Sequence, residues 1–304
     1  MSDADLTATV AGMTLPNPVM TAAGCGGSGR ELDPFLDLTA IAAMVTRSIR
    51  LDPRSGSATP RMVETPSGMV SAVGMQGPGV DGFLATELPW LAQRRVRAIV
   101  SVAGTTLGEY AELARRVGNS PGVAAIEVNL PVPNDPYHAT KVINVVRRDV
   151  PRGLPVLAKL SPETTDIVDV ARAVVEAGAD GLVMLNTPAG LAIDPTTLRP
   201  ALGAVTGGLS GPAIRPMALR CVWDVHRAMP EATIIGVGGI RTGFDVLEFL
   251  LAGASAVQVG SVIFHDPSAP ARIVDELRAE LAGRGIPQVV DVIGRGHRPE
   301  GEAL

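Results

Sequence analysis

Eight short apolar, β-branched runs, separated by segments of helical periodicity, constrain this chain more than any other feature. The runs fall at 18–23, 42–48, 97–103, 124–130, 155–160, 181–186, 233–237 and 256–260. Between them the apolar spacing changes to that of a helix, as at Ile167, Val168, Val170, Ala171, Val174 and Val175, or Phe244, Val246, Leu247, Phe249, Leu250 and Leu251. Strands that are apolar throughout, rather than alternating, belong to a parallel sheet covered on both faces. Eight strand–helix units in 304 residues fit a (β/α)8 TIM barrel better than a doubly wound sheet. Gly178 and Gly253 each follow a helical segment, where a C-terminal cap favours glycine. The expectation is one barrel domain over residues 1–304. Excursions rich in Gly and Pro at 50–78 and 188–216 would build the rim of its C-terminal face. The polar stretch from about 284 to 304 reads as a peripheral tail.

Composition narrows the function classes. With 46% hydrophobic residues the chain can bury one large core, and a net charge of −5 disfavours a nucleic-acid surface. Two cysteines, Cys25 and Cys221, form neither a disulfide framework nor a metal-ligand pattern, which fits a reducing cytoplasm. Residues Met1–Asp5 lack the basic and apolar regions of a signal peptide, and every apolar stretch is broken by Gly, Pro or charge before it reaches spanning length. A cytoplasmic protein with no membrane or nucleic-acid partner is expected.

Barrels place their chemistry at the carboxyl ends of the strands. Read in order, those ends are Ala23-Gly24, Arg47-Ser48, Gly104-Thr105, Asn129, Lys159, Asn186-Thr187, Gly238-Gly239 and Gly260-Ser261. Lys159 stands out, because it sits in the apolar run Pro155–Pro162 and a lysine is rarely buried without a partner. It could snorkel out of the strand end. The alternative, favoured by its neighbours, is that it meets a ligand rather than another side chain. Gly238-Gly239 and Gly260-Ser261 follow strands seven and eight, where barrels hold phosphate on backbone N–H groups. Either alone marks no more than a tight turn. Together with Asn129, Lys159, Asn186 and Thr187 at the mouth, they resemble a flavin mononucleotide (FMN) site. The lysine would lie near the N1/O2 edge, where positive charge favours the anionic reduced flavin.

Longer motifs carry a family resemblance. Asn17-Pro18-Val19, Gly24-Cys25-Gly26, Glu64-Thr65-Pro66-Ser67-Gly68-Met69, Leu88-Pro89-Trp90, Val102-Ala103-Gly104, Ala158-Lys159-Leu160-Ser161-Pro162, Gly207-Gly208-Leu209-Ser210-Gly211-Pro212 and Gly253–Gly260 resemble the class 1 dihydroorotate dehydrogenases. The likeness runs in unbroken order from about residue 6 to 270 and is greatest for the class 1B branch. It implies FMN held by Ala23, Gly24, Lys159, Thr187, Gly211, Gly238, Gly239, Gly260 and Ser261. It implies a pyrimidine-like substrate met by Asn129, Asn134 and Asn186, by Arg47 and Ser71, and by the backbone of Val73, Gly74 and Met75. Asparagine suits that task because one amide both donates and accepts. The resemblance further implies an iron–sulfur flavoprotein partner subunit and a homodimer.

The substrate half of the pattern departs from the family. The family's Asn-Ile-Ser-Cys-Pro-Asn motif, with its cysteine base, corresponds here to Asn129-Leu130-Pro131-Val132-Pro133-Asn134, and Val132 cannot accept a proton. The loop beyond Asn134 is shortened, Arg47 stands for a family lysine, and Ser71 stands for a family asparagine. Asp135 and His138 are the candidate replacement bases, His138 having the more suitable intrinsic pKa. The competing reading makes Asp135 the cap of the next helix and His138 a solvated helix residue. Cys221 reads as a core thiol. Two functions follow: an FMN-dependent oxidoreductase acting on dihydroorotate, another dihydropyrimidine or a cyclic amide, or a flavin-binding but catalytically silent subunit.

Overall fold

The computed structural model describes residues 4–299. Residues 1–3, and the last five of the expected tail, lie outside the described residues. Each of the eight apolar runs contains a parallel strand: β1 (Val19–Thr21), β2 (Met44–Val45), β3 (Ala98–Val102), β4 (Val123–Asn129), β5 (Val156–Leu160), β6 (Gly181–Met184), β7 (Ile234–Val237) and β8 (Ala256–Val259). Their order is β1-β8-β7-β6-β5-β4-β3-β2. A parallel bridge between Met20 and Ala43 closes the ring, with Ala42 N donating to Val19 O at 2.8 Å. The fold is the expected (β/α)8 barrel, and closure leaves no free sheet edge. β2 is short because the chain leaves the ladder at Thr46, whose hydroxyl accepts from Ser101 N at 3.2 Å, and rejoins β3 at Ile49.

Helices cover the outside at Leu107–Gly118, Pro136–Asp149, Ile167–Glu176, Arg215–Ala228, Gly243–Leu251 and Ala269–Gly283. Their starts are written in the sequence. The side chain of Thr106 accepts from Glu109 N, that of Asp166 from Val168 N and Asp169 N, and Thr242 with Asp245 forms a reciprocal capping box. No regular helix joins β1 to β2. The glycines of Gly24-Cys25-Gly26-Gly27-Ser28-Gly29 disfavour one, and the crossing is made by turns.

Inside the ring, Met20, Val45, Ile99, Ala125, Leu157, Val183, Ile235 and Ala256 form an apolar layer. The hairpin of Ala8–Val10 and Met13–Leu15 packs Val10 and Leu15 against it. Successive inward residues of a strand are two apart. One step further along the pleat come Ser101, Glu127, Lys159 and Gln258, all buried. The barrel therefore has one wholly apolar level followed by one that admits these polar side chains beside Ala22 and Val237.

The two excursions, which the sequence presents as separate insertions, share one antiparallel sheet: Ala189–Gly190, Gly207–Ser210, Gly68–Ser71 and Met62–Thr65, in that order. The stretch from 284 is not peripheral up to His297. Ile286, Val289 and Val292 are buried, Asp5 N donates to Pro287 O at 2.8 Å, and the His297 ring stacks on Trp223 at 3.6 Å between centroids. Those spaced apolar side chains outweigh the polar composition around them. No helix among the described residues is long and apolar enough to cross a membrane.

The apolar layer makes a stability prediction. Leu157, fully buried in it, should cost about 2–5 kcal/mol when cut to alanine. The check is a lowered urea midpoint with an unchanged m value.

Candidate active site

Two cavities open at the carboxyl ends of the strands and share Ala23, Cys25, Asn186, Thr187 and Ser210. The smaller, of about 80 Å³, is lined by Lys159, Gly211, Gly238, Gly239, Gly260 and Ser261 in addition. Every residue that the resemblance assigns to the flavin borders this cavity except Gly24, which lines the larger one. Three of its glycines sit where another residue would be strained. Gly211, Gly238 and Gly239 have φ of +100°, +132° and +72°, and a Cβ on Gly239 would lie 2.8 Å from the Gly211 carbonyl oxygen. These are backbone positions where only glycine sits without strain. Among the described residues no backbone carbonyl takes the N–H of Gly238 or Gly239, so both remain available to a ligand.

Lys159 lies at the base of that cavity and is 6% exposed. Its partner was expected to be a ligand rather than another side chain. The structure adds two side chains to that expectation: Lys159 Nζ is 3.3 Å from Gln258 Oε1 and 3.5 Å from Glu127 Oε1, while the residue also lines the cavity. Gln258 Nε2 in turn donates to Glu127 Oε2 at 2.6 Å. Glu127 and Gln258 are both fully buried. Sequence reasoning missed this pair, although the signal was available: Glu127 is a charge inside an apolar run, two residues before Asn129 and so on the same face.

A chain of polar contacts crosses the strand ends beside the lysine. Ser101 Oγ and Ser48 Oγ are 3.0 Å apart, Asn129 Nδ2 donates to Ser48 Oγ at 3.2 Å, and Asn186 Nδ2 donates to Asn129 Oδ1 at 3.0 Å. Thr187 N donates to Asn186 Oδ1 at 2.9 Å. Tyr110 OH holds the Asn129 carbonyl from behind at 2.7 Å. Asn134 is placed differently. It is buried, borders neither cavity, donates from Nδ2 to Pro131 O at 2.6 Å and accepts from Ser161 N on Oδ1. Its amide ties its own loop to the end of β5.

The larger cavity, of about 670 Å³, has Arg47, Ser71, Val73, Met75 and Asn186 in its wall, together with Met62, Met69, Phe35 and Phe264. Gly74 turns the chain between two of these lining residues at φ +77°. Arg47 Nη2 pairs with Glu31 Oε1 at 2.7 Å, while Arg47 Nε is buried without a partner. Glu31, also in the wall, was not anticipated from the sequence.

Val132 is 48% exposed and borders neither cavity, and the same holds for Asp135 and His138. Asp135 is the N-cap of helix Pro136–Asp149. It accepts from His138 N at 2.9 Å and contacts the ring Nδ1 at 2.5 Å. The His138 N–H holds the Asp135 carboxyl below its ordinary range. Cys25 touches both cavities, and burial pushes its thiol up to about 11, against the pull of Lys159. At neutral pH it is a thiol, not a base.

The chain matches the Dihydroorotate dehydrogenase family over residues 5–281. It belongs to that family. It is 47% identical over 304 residues to "Dihydroorotate dehydrogenase B (NAD(+)), catalytic subunit" of Geobacter sulfurreducens, covering 97% of this chain and 99% of that protein. A protein of the same name from Desulforudis audaxviator is 46% identical over 302 residues, covering 96% and 97%. Among solved structures, the dihydroorotate dehydrogenase of Eimeria tenella in complex with ferulenol superposes with a TM-score of 0.79 at 26% identity, covering 97% of this chain and 89% of that one. Family membership makes the chain a flavin-dependent oxidoreductase acting on CH–CH bonds.

Two outcomes follow from the site. Alkylation of Cys25 at pH 8 should be far slower than that of a free thiol, should rise with pH and should level off only near 11, as followed by peptide mass spectrometry. Asp135→Ala should remove about 1 kcal/mol of stability. Because the folded-state value is lowered, that contribution is present above the ordinary carboxylate range and disappears as pH falls through the folded value, so parent and variant melting points should converge in acid.

Proposed function

We propose that the chain is the FMN-binding catalytic subunit of a dihydroorotate dehydrogenase-type oxidoreductase. It would move a hydride between FMN and a dihydroorotate-like ring, another dihydropyrimidine or a cyclic amide. The observation that carries this reading is a glycine cradle, with Gly211, Gly238 and Gly239 at positive φ, meeting a buried ammonium in one cavity. That donor set fits FMN: available N–H groups suit a phosphate, and Lys159 suits the ring edge that becomes anionic. Gly211, Gly238, Gly239, Gly260 and Ser261 would hold the phosphate, with Ala23, Gly24 and Thr187 flanking the ring. When bound, FMN supplies the two-electron acceptor.

The remaining work falls to the side chains. Asn129 and Asn186, fixed by each other and by Ser48, present an ordered donor and acceptor set to an imide. Arg47 offers a guanidinium with an unpartnered Nε at the wall of the larger cavity, suited to a carboxylate. Ser71 and the backbone of Val73, Gly74 and Met75 would bound the ring. We assign Asn134 to holding its loop rather than reading substrate.

Oxidation of dihydroorotate removes a hydride from one carbon and a proton from its neighbour. Val132, aligned by resemblance with the family's cysteine, has no lone pair for that proton, and Asp135 is occupied as a helix cap. A ring whose hydride transfer needs no cysteine therefore suits this pocket better than dihydroorotate itself. A silent scaffold is not favoured, since the relatives carry the names of catalytic subunits. Those names, with the class 1B resemblance, support an iron–sulfur flavoprotein partner subunit. The resemblance alone supports a homodimeric core in the cytoplasm.

The test is anaerobic reduction of FMN-loaded protein by dihydroorotate, for the parent and for Val132→Cys. The variant is expected to bleach about 10²–10⁴ times faster. Equal, fast bleaching would mean that the base has moved, and Asp135→Asn or His138→Gln should then slow it. Failure of both would assign the pocket to a different ring. Separately, Gly239→Ala should yield protein that retains no FMN after gel filtration, because its φ is +72° and its Cβ would crowd the Gly211 carbonyl.

A further inference from the structure

We infer that Glu127 and Gln258 are positioning residues that set how much of the Lys159 charge reaches the flavin pocket. The inference rests on the FMN reading above and concerns residues that bound neither cavity. The three side chains come from β4, β5 and β8 and meet in the polar layer inside the barrel. Gln258 stands at the junction: its Oε1 faces Lys159 Nζ at 3.3 Å, and its Nε2 donates to Glu127 Oε2 at 2.6 Å. An amide with both ends engaged cannot turn over without breaking both contacts, so it fixes where the ammonium and the carboxylate sit relative to each other.

Glu127 is the unusual member. It is fully buried, and its Oε1 has no hydrogen-bond partner, with Lys159 Nζ 3.5 Å away. A carboxylate left half satisfied in a barrel interior is costly, and removing one partner of such a pair costs more than the pair contributes. A lysine needed only to fill space would be cheaper as leucine or methionine. The arrangement makes physical sense if the lysine must stay charged at the cavity floor while its field there is moderated. Glu127 holds the ammonium toward the side away from the cavity, and Gln258 keeps the two from closing to full contact. A ligand at the floor then faces a cation kept at a set distance from it.

The test measures bound FMN rather than turnover. FMN-loaded protein is equilibrated anaerobically with a reference dye, and the ratio of reduced to oxidised FMN is read at a fixed dye ratio. Glu127→Gln, which keeps shape and the bond to Gln258 but removes the charge that holds the ammonium back, should raise that ratio on the order of tenfold, the scale of a cation brought a few ångströms nearer the ring at intermediate dielectric. The same substitution made in a Lys159→Met background should leave the ratio within about twofold, because the effect passes through the lysine. An equal change in both backgrounds would mean that Glu127 acts on the flavin directly, and no change in either would make it a packing residue. Both overturn the inference while leaving the FMN reading intact. If Glu127→Gln does not hold FMN, Gln258→Met answers the same question, since it removes the bridge and keeps both charges. It should shift the ratio in the parent background and not beside Lys159→Met, and no shift in either overturns the inference. A parent protein that takes up no FMN overturns both readings.

Discussion

Closure of eight parallel strands into one ring is the constraint on which the rest of this molecule depends. The ring puts every second side chain inside, where no water can satisfy it, so each level of the interior must be solved as a unit. Here the lower level is apolar, from Met20 to Ala256, and the level above it holds Ser101, Glu127, Lys159 and Gln258. Glu127, Lys159 and Gln258 are tolerated because they meet one another across the ring, three strands supplying one connected cluster, while Ser101 meets Ser48. The same pleat carries Asn129 one step beyond Glu127, at the mouth. Register, set by the apolar layer, thereby sets where the chemistry points.

The strand ends and the excursions divide the labour. Backbone geometry at Gly211, Gly238 and Gly239 makes the smaller cavity rigid, because those φ values exclude ordinary residues. The larger cavity is bounded by methionines and by the sheet that the two excursions build together, with Leu209 opposite Val70. Flexible, polarisable side chains on an added sheet can change without disturbing the ring. Arg47 and Ser71 line this larger cavity, whereas Val132 borders neither.

Local signals made most of the fold legible. Apolar continuity marked all eight strands, and caps such as Asp166 and Thr242 marked helix starts. Pairings between distant segments were not legible. Nothing in residues 62–71 announces a partner at 207–210, because antiparallel pairing leaves no mark in either strand alone. The stretch after 284 was judged by its polar average, while three apolar side chains decide where it packs. In the site, Lys159 stands out from sequence as a buried charge in need of a partner, and two of its partners, Glu127 and Gln258, lie on other strands. The rule that singled out Lys159 applies equally to Glu127, and Gln258, uncharged within a strand, gave no comparable signal.

The absence of a cysteine at position 132 weighs differently once the cavity walls are considered. Cys25 touches both cavities, yet burial keeps it protonated, and Glu31 is engaged by Arg47. Asp135 and His138 are engaged with each other at the start of a helix. The described walls thus hold donors, acceptors and a cation, but no side chain free to take a proton near neutral pH. A site so furnished is suited to stabilising negative charge and to ordering a planar amide ring. The buried cluster beneath the site gives that chemistry its electrostatic setting.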